Sequence, residues 1–265
     1  MILSSETYQS VEANKLYFSH SQYIDFVGST GFPGCEAMAM AKINGEWNEE
    51  PSQAMLVGSF VDAHFEGKMA VFKAQNPAIF KRDGDLRAVY TQAQEIIATG
   101  ELDPYFMQFM SGRKQVVLSA EFFGVKWKAK IDSLIDGKAI VDLKVMKAIR
   151  DRLWVPDLGR VSFVEYWGHD IQGAIYQKVV EISTGEKLPF FIAALSKEYY
   201  PDHEIIGFRQ EDLDDTMSMI ESNVGRIKDL KEGKADPVHC GVCPFCRSTK
   251  VLDHPVHFSE LINKV

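Results

Sequence analysis

The stretch "KIDSLIDGKAIVDLKV", Lys130 to Val145, decides the fold. It continues an alternation of charged and apolar side chains that starts at Lys126, which is typical of a strand with one buried face. The dipeptide "DG" in its middle is a hairpin turn signal, and the apolar run after it predicts a second strand. Residues two apart on a strand share a face, so Asp142 and Lys144 point the same way, about 6.5–7 Å apart. The hairpin brings Asp132 alongside them.

Two carboxylates and a lysine on one side of a sheet suit a divalent cation. Oxygen ligands of this kind are those that Mg²⁺ prefers, with Mn²⁺ as the alternative ion. Bound magnesium polarises a phosphoryl oxygen and lowers the pKa of water, and a lysine can stabilise charge on the transferring phosphoryl group. We therefore predict a phosphodiester hydrolase, with Asp132 and Asp142 as metal ligands and Lys144 as the catalytic lysine. The alternative interpretation is a surface hairpin that carries ordinary charges.

The rest of the chain alternates between helical and extended patterns. Apolar residues three and four apart predict helices, whereas β-branched and aromatic runs predict strands. The predicted helices cover residues 19–30, 35–44, 52–70, 86–110 with a break near Pro104, 166–182 and 211–231. The predicted strands cover residues 115–125, 126–134, 138–146, 188–196 and 204–209. This order predicts an α/β fold with a mixed central β-sheet flanked by helices.

Composition narrows the class of protein. With 46% hydrophobic and 25% charged residues, the chain is expected to be globular rather than disordered. No apolar run reaches the roughly 18 residues that span a bilayer, and the start "MILSSETYQS" lacks the features of a secretory signal. We therefore expect a cytoplasmic protein with no membrane partner. A net charge of −8 disfavours a generic nucleic-acid coat protein. Residues 126–152 form a locally basic centre, which could face phosphates, although a solvated surface is the commoner meaning of such a charge run.

The cysteines are unevenly distributed. Three of the four lie in "CGVCPFC", at Cys240, Cys243 and Cys246, and the other is Cys35. In a chain without an export signal, this spacing predicts a metal or cluster site rather than disulfides. A tetrahedral zinc ion or a cubane cluster needs a fourth ligand. The alternatives left open are an iron–sulfur cluster, reduced thiols, and zinc, the last with a further ligand from the histidines at positions 239, 254 and 257.

The acidic hairpin resembles the active-site motif of the PD-(D/E)xK nuclease superfamily, without a proline before Asp132. Other segments resemble RecB-like and AddB-like members in the same order, from about residue 19 to 250. They are "SHSQYIDF" with "CEAMAMAKINGEW", then "GSFVDAH", "AEFFGVKWKAKID" and "HDIQGAIYQ". Within the superfamily, "INGEW" and "CPFCRSTKVLDHP" are most similar to the RecE (exonuclease VIII)-like group of phages and prophages.

The resemblance implies further site residues. His64 would join Asp132 and Asp142 as a metal ligand, and Glu121 would be an additional catalytic carboxylate. Gln172 and Tyr176, which are four apart and share a helix face, would hold the DNA backbone near the metal. The carbonyl of Leu143 would also contact the metal. AddB-like and CRISPR-associated members join a cysteine at the position of Cys35 to three C-terminal cysteines around a [4Fe–4S] cluster, which implies the same set here: Cys35, Cys240, Cys243 and Cys246.

The resemblance also implies a function and an organisation. We expect one nuclease domain over residues 1–265, with a mainly helical N-terminal segment (residues 1–110), a catalytic α/β core (residues 111–235) and a cysteine-containing tail (residues 236–265). It would be a Mg²⁺-dependent exodeoxyribonuclease that digests linear double-stranded DNA 5′→3′ from its ends. A phage or prophage protein of this type, acting in the bacterial cytoplasm, would form a ring-like homo-oligomer and pass its 3′ overhang to a single-strand annealing recombinase. The alternatives are an AddB-like or CRISPR-associated nuclease of other polarity, and a non-catalytic DNA-binding scaffold.

Overall fold

The structure is a computed structural model that describes residues 3–252 and 254–261. Its first half consists of helices and one two-stranded ribbon. The elements there are α1 (Val11–Leu16), α2 (His20–Val27), β1 (Gly28–Ser29), β2 (Phe32–Pro33), α3 (Glu36–Asn44), α4 (Gln53–Phe65), α5 (Met69–Gln75), α6 (Ala88–Leu102) and α7 (Pro104–Phe109). A 3₁₀ turn, Pro77–Ile79, separates α5 from α6.

The remaining elements form the sheet and its covering helices. They are β3 (Arg113–Phe122), β4 (Val125–Ile135), β5 (Ala139–Met146), β6 (Leu153–Val155), β7 (Gly159–Val161), α8 (Phe163–Trp167), α9 (His169–Thr184), β8 (Phe190–Ser196), β9 (His203–Gly207), α10 (Gln210–Lys231) and α11 (Pro244–Ser248). A 3₁₀ helix, Phe258–Leu261, follows them. The short ribbon of β6 and β7 and the helices α1 and α8 have no counterpart in the sequence prediction.

The central sheet of the described residues has five strands in the order β3-β4-β5-β8-β9. Only the β5–β8 pair is parallel, and the other neighbours are antiparallel. The predicted hairpin turn lies between β4 and β5, where Gly137 adopts a φ of 66° that suits glycine. The sheet is therefore mixed and flanked by helices, and the predicted fold class is confirmed.

Helix ends follow from local sequence signals. The hydroxyl of Ser52 caps α4, and the carboxylate of Asp103 caps α7, so the predicted break near Pro104 is confirmed. The prediction of one helix over 52–70 is wrong at its end. The helix stops at Phe65, because Gly67 takes a left-handed φ of 73°, and α5 begins separately.

The sheet separates two hydrophobic clusters. Alternate residues of β5 and β8 contribute to different clusters, as the two-residue period of a strand requires. Ile140 and Ile192 pack in the cluster that α9 and α10 cover, whereas Val141 and Ala193 pack in the cluster that α4 and α6 cover. Asp142 shares the face of Ile140. It is 3% exposed and therefore lies in an otherwise apolar layer.

The β4–β5 ladder opens next to this layer. Its regular pairing runs from Ile135–Ala139 to Ser133–Val141 and stops one residue before Asp132 and Asp142 would face each other. Beyond that point β4 continues with β3, and β5 continues with β8. The two strands therefore diverge at the two aspartates, which leaves room for a pocket.

No helix within residues 3–252 and 254–261 combines the length and the apolar character that crossing a bilayer requires. The proposed division into an N-terminal segment (1–110), a core (111–235) and a tail (236–265) stays a prediction. Residues 1–2, 253 and 262–265 of that division lie outside the described residues.

Candidate active site

An acidic pocket of about 250 Å³ occupies the opening between β4 and β5. Its walls come from α2, α4, β3, β4, β5, α9 and the segment before α1. Its polar and charged lining includes His20, Asp62, Glu66, Gln115, Asp132, Asp142, Lys144, Gln172 and Tyr176. Five of the predicted site residues, Asp132, Asp142, Lys144, Gln172 and Tyr176, are brought together here.

Asp132 is held by two donors from neighbouring strands. Its Oδ1 accepts a hydrogen bond from Gln115 Nε2 at 2.9 Å, and its Oδ2 accepts one from the backbone N–H of Leu143 at 2.9 Å. Gln115 has a φ of 52°, which is rare for a residue with a side chain, and the regular β3–β4 pairing skips it. Such irregular strand residues redirect side chains and are frequent beside active sites.

Asp142 is positioned by α9 and by its neighbour on β5. Its Oδ1 accepts a hydrogen bond from Gln172 Nε2 at 2.6 Å, and its Oδ2 lies 2.6 Å from Lys144 Nζ. The predicted common face of Asp142 and Lys144 is therefore present as an ion pair. Gln172 therefore orients the carboxylate of Asp142, and the predicted contacts of Gln172 and Tyr176 with a DNA backbone stay a prediction.

Burial and crowding shift the pKa values of these groups. Burial raises the pKa of Asp142 to about 6, with Lys144 opposing the rise and Asp132 adding to it. The pKa of Asp62 is raised well above its ordinary value by burial and by the charge of Asp132. Burial lowers the pKa of Lys144, but Asp142 and Asp132 outweigh that effect and the net shift is upward. Four acidic residues line the pocket, Asp62, Glu66, Asp132 and Asp142, against two lysines, Lys130 and Lys144.

Tyr176 and His20 make contacts that hold the walls of the pocket together. The hydroxyl of Tyr176 donates a hydrogen bond to the carbonyl of Lys130 at 3.1 Å and joins α9 to β4. His20 Nε2 lies 3.1 Å from the carbonyl oxygen of Gly168. Burial, together with the charge of Lys144, lowers the pKa of His20 to about 3, so its imidazole is neutral.

His64 lies elsewhere, and the structure contradicts its predicted position. Its Nε2 is 2.7 Å from Glu101 Oε1, on the partly exposed side of α4 that packs towards α6. A helix turns by about 100° per residue, so residues four apart share a face and residues two apart do not. The face of α4 that enters the pocket therefore carries Asp62 and Glu66, and His64 points away.

Glu121 is also remote from the carboxylates. It is an exposed residue of β3, faces Lys126 of β4, and lines a different, basic cavity. Gln115, which does contact Asp132, precedes Glu121 by six residues, or roughly 20 Å along a strand. The predicted catalytic position of Glu121 is therefore corrected.

Sequence reasoning missed Asp62, Glu66, Gln115 and His20. Asp62 and Glu66 had a visible signal, because two acids four apart on an amphipathic helix mark one face. Gln115 gave no signal, since its left-handed backbone conformation depends on the partner strand. His20 lies in the quoted segment "SHSQYIDF" but was not singled out. The role of the Leu143 carbonyl stays a prediction.

A second, larger cavity of about 740 Å³ adjoins the acidic pocket. The two share Asp62, Leu143 and Lys144, so the Asp62 carboxylate and the Lys144 amine lie where the cavities meet. The larger cavity is lined further by Gly58, Ser59, Lys147, Phe163, Trp167 and Lys197. A Cβ atom at Gly58 would meet no atom within 4 Å, so packing within the chain does not require glycine at that position.

The four cysteines converge at a separate site. Their sulfur atoms all lie within 4.8 Å of one another, and Cys35 and Cys246 are buried. The predicted grouping of Cys35 with the three C-terminal cysteines is present, and the set could hold a metal. None of the four lines the acidic pocket.

The comparisons with known proteins agree with this architecture. Residues 19–249 match the family described as a PDDEXK-like domain of unknown function (DUF3799). A solved structure described as a "putative exonuclease" from Eubacterium rectale is 50% identical, with a TM-score of 0.97 and 100% of both chains covered. No curated protein matches the chain significantly.

The family match spans most of the chain and includes most of the residues that line the acidic pocket between β4 and β5. The fold, the paired aspartates and the following lysine agree with it. The chain belongs to the PDDEXK-like domain family, within the PD-(D/E)xK nuclease superfamily.

Proposed function

We propose that this chain is a divalent-cation-dependent nuclease that hydrolyses DNA. The observation that carries the proposal is the meeting of three carboxylates, Asp62, Asp132 and Asp142, with Lys144 in one pocket at the open end of the β4–β5 ladder. Each comes from a defined element: α4, β4 and β5. A structural role alone does not account for this arrangement, because crowded buried carboxylates raise one another's pKa and oppose folding.

The donor set fits a hard divalent cation. Asp62, Asp132 and Asp142 supply carboxylate oxygens, which suit Mg²⁺ and also Mn²⁺. Burial and the neighbouring carboxylates raise the pKa values of Asp62 and Asp142, and a bound cation would favour their ionised forms. Once bound, the ion would polarise a phosphoryl oxygen and lower the pKa of water. The proposed ligand set replaces His64 with Asp62 and keeps the two predicted aspartates.

The chain's own residues prepare this site. Gln172 and Lys144 hold the two oxygens of Asp142, and Gln115 and the Leu143 N–H hold those of Asp132. Since the pKa of Lys144 is raised, its amine is a cation that donates hydrogen bonds, not a general base. It is therefore placed to stabilise negative charge on the reacting phosphoryl group.

The larger cavity provides a path for a DNA strand. It reaches the carboxylates through Asp62 and Lys144, and it combines Lys147 and Lys197 with the half-exposed ring of Trp167. Cations that contact phosphates and aromatic rings that stack on bases are the two elements of single-strand binding. Gly58 leaves the backbone of α4 open to this path, as expected where a ligand approaches closely.

A more specific part of the proposal is that cleavage starts at the ends of the DNA. It is supported by the description of the Eubacterium rectale protein as an exonuclease, at 50% identity over the whole chain. We further propose 5′→3′ polarity, a ring-like homo-oligomer and a single-strand annealing recombinase as partner, in a phage-type recombination pathway. These rest on the resemblance to RecE-like proteins. A nuclease of other polarity and a non-catalytic DNA-binding scaffold are the alternatives.

One assay tests the proposal. Linear duplex DNA labelled at either the 5′ or the 3′ end is incubated with the protein in Mg²⁺, in Mn²⁺ and in EDTA, beside closed circular DNA. The proposal expects cation-dependent loss of linear DNA, early release of the 5′ label and resistance of the circle. Early release of the 3′ label would indicate 3′→5′ polarity instead. Fragmentation of the circular DNA would indicate an endonuclease. DNA binding without cleavage in either cation would favour the scaffold.

A further inference from the structure

The four-cysteine site has the dimensions of a single tetrahedral ion. Cys35 Sγ and Cys246 Sγ are 3.6 Å apart, Cys240 Sγ and Cys246 Sγ are 3.9 Å apart, and the four sulfurs all lie within 4.8 Å of one another. Four thiolates around one zinc ion, with Zn–S bonds of about 2.3 Å, would stand about 3.8 Å apart. We propose that Cys35, Cys240, Cys243 and Cys246 bind one structural Zn²⁺.

The [4Fe–4S] cluster that the superfamily resemblance implies does not fit these distances. In a cubane each thiolate binds a different iron, so the four sulfurs surround a body of eight atoms and stand roughly 6 Å apart. Every pair here lies within 4.8 Å. The site would have to expand in all directions to admit the cluster, whereas a zinc ion needs only small shifts.

Two of the four sulfurs also accept hydrogen bonds from backbone N–H groups of the same segment. The N–H of Cys243 donates to Cys240 Sγ at 3.3 Å, and the N–H of Cys246 donates to Cys243 Sγ at 3.4 Å. His239 Nδ1 lies 3.5 Å from Cys246 Sγ. Because four cysteines complete a tetrahedral set, His239 acts as a neighbour of the sulfur instead of the ligand in the predicted alternative.

The proposed zinc ion would connect distant segments of the chain. Cys35 is the N-cap of α3, and Cys246 lies 211 positions later in α11. Other contacts cross the same junction: the guanidinium of Arg226 pairs with the Glu36 carboxylate, and the ring of Trp47 packs on Phe245. Metal binding that closes so long a loop contributes to folding, so the zinc would be structural.

The experiment measures metals in protein expressed with added iron and zinc and purified without oxygen. We expect one zinc per chain, little iron, and no visible absorption. Cobalt exchanged into the site should give the intense bands of tetrahedral thiolate coordination. Broad visible absorption with about four irons and four inorganic sulfides per chain would overturn the proposal in favour of the cluster. Protein with neither metal, or with a Cys35–Cys246 disulfide, would overturn it as well.

A variant pair separates the zinc site from general damage to the fold. Cys35→Ser should lose the zinc and lower the thermal midpoint by at least about 5 °C. Ala37→Ser, at a buried position of the same helix that supplies no ligand, should keep the metal. Equal zinc content in Cys35→Ser and wild type would remove Cys35 from the ligand set and contradict the four-cysteine site. The metal content of the wild type decides the proposal even if Cys35→Ser does not fold, and neither measurement depends on nuclease activity.

Discussion

The carboxylate of Asp132 accepts the backbone N–H of Leu143 at 2.9 Å, at the point where β4 and β5 stop pairing. A side-chain oxygen thus takes the place of a strand–strand hydrogen bond. The backbone donor stays satisfied while the two strands diverge, which avoids the cost of a buried unpaired N–H. The same contact fixes the direction of Asp132 towards the pocket. This one hydrogen bond therefore accounts both for the opening in the sheet and for the orientation of Asp132, a candidate metal ligand.

Replacing Lys144 should abolish DNA cleavage and leave the fold intact. We expect Lys144→Met to reduce cleavage of linear duplex DNA by about 10²-fold or more, because the cation that stabilises the reacting phosphoryl group is lost. Circular dichroism and DNA binding should change little. The matched control is Glu121→Gln, an exposed residue of β3 outside the pocket. Cleavage by Lys144→Met at the rate of the control would contradict the assigned site.

Two residues of the same helix test the revised ligand set. Asp62→Asn should raise the Mg²⁺ concentration needed for half-maximal cleavage by about tenfold or more, since one carboxylate ligand is lost. His64→Gln, two residues further along α4, should behave as wild type because its imidazole contacts Glu101 outside the pocket. Titration of cleavage rate against Mg²⁺ distinguishes the two variants. The opposite ranking would restore His64 as the ligand.

The glycine at position 58 is expected to lower the stability of the fold and to keep the larger cavity open to a DNA strand. A glycine inside a helix costs about 0.5–1 kcal/mol relative to a good helix former. Gly58→Leu should therefore raise the free energy of unfolding by roughly that amount, yet lower cleavage at least tenfold by filling the larger cavity. Gly225→Leu in α10 is the control, because a Cβ there also meets no atom within 4 Å. It should stabilise equally and leave cleavage unchanged. Unaltered cleavage by Gly58→Leu would exclude the proposed strand path.

Without added Mg²⁺, the protein should lose stability as pH rises from about 4 to 6. The folded pKa of Asp142, about 6, lies above its ordinary value of 3.8. The folded state therefore binds more protons than the unfolded state in this window, and stability falls until the carboxyl is ionised in both. Thermal midpoints measured without added Mg²⁺ should show this loss, and Asp142→Asn should reduce it. Added Mg²⁺ should stabilise the wild type increasingly over the same window, because cation binding competes with protonation. A thermal midpoint of the wild type that rises with pH relative to the midpoint of Asp142→Asn would contradict this prediction.

The sequence determined the features that depend on short-range periodicity. The two-residue repeat of a strand put Asp142 and Lys144 on one face, and the "DG" turn returned the chain beside Asp132. The order of helical and extended segments was enough for the mixed α/β sheet. The close spacing of Cys240, Cys243 and Cys246 predicted a shared site for their thiols. In each case the residues concerned are near in sequence, so local geometry constrains them.

Only the tertiary structure decided which face of each element meets the site. The sequence of α4 allowed either Asp62 or His64 to point inward, and the packing of α4 on β5 selected Asp62. The sequence of β3 allowed Glu121 as a catalytic residue, whereas strand register and the left-handed Gln115 brought Gln115 to Asp132. Periodicity specifies which side chains share a face. The rotation and register of one element against another depend on packing between residues far apart in sequence, and this packing assembled the pocket.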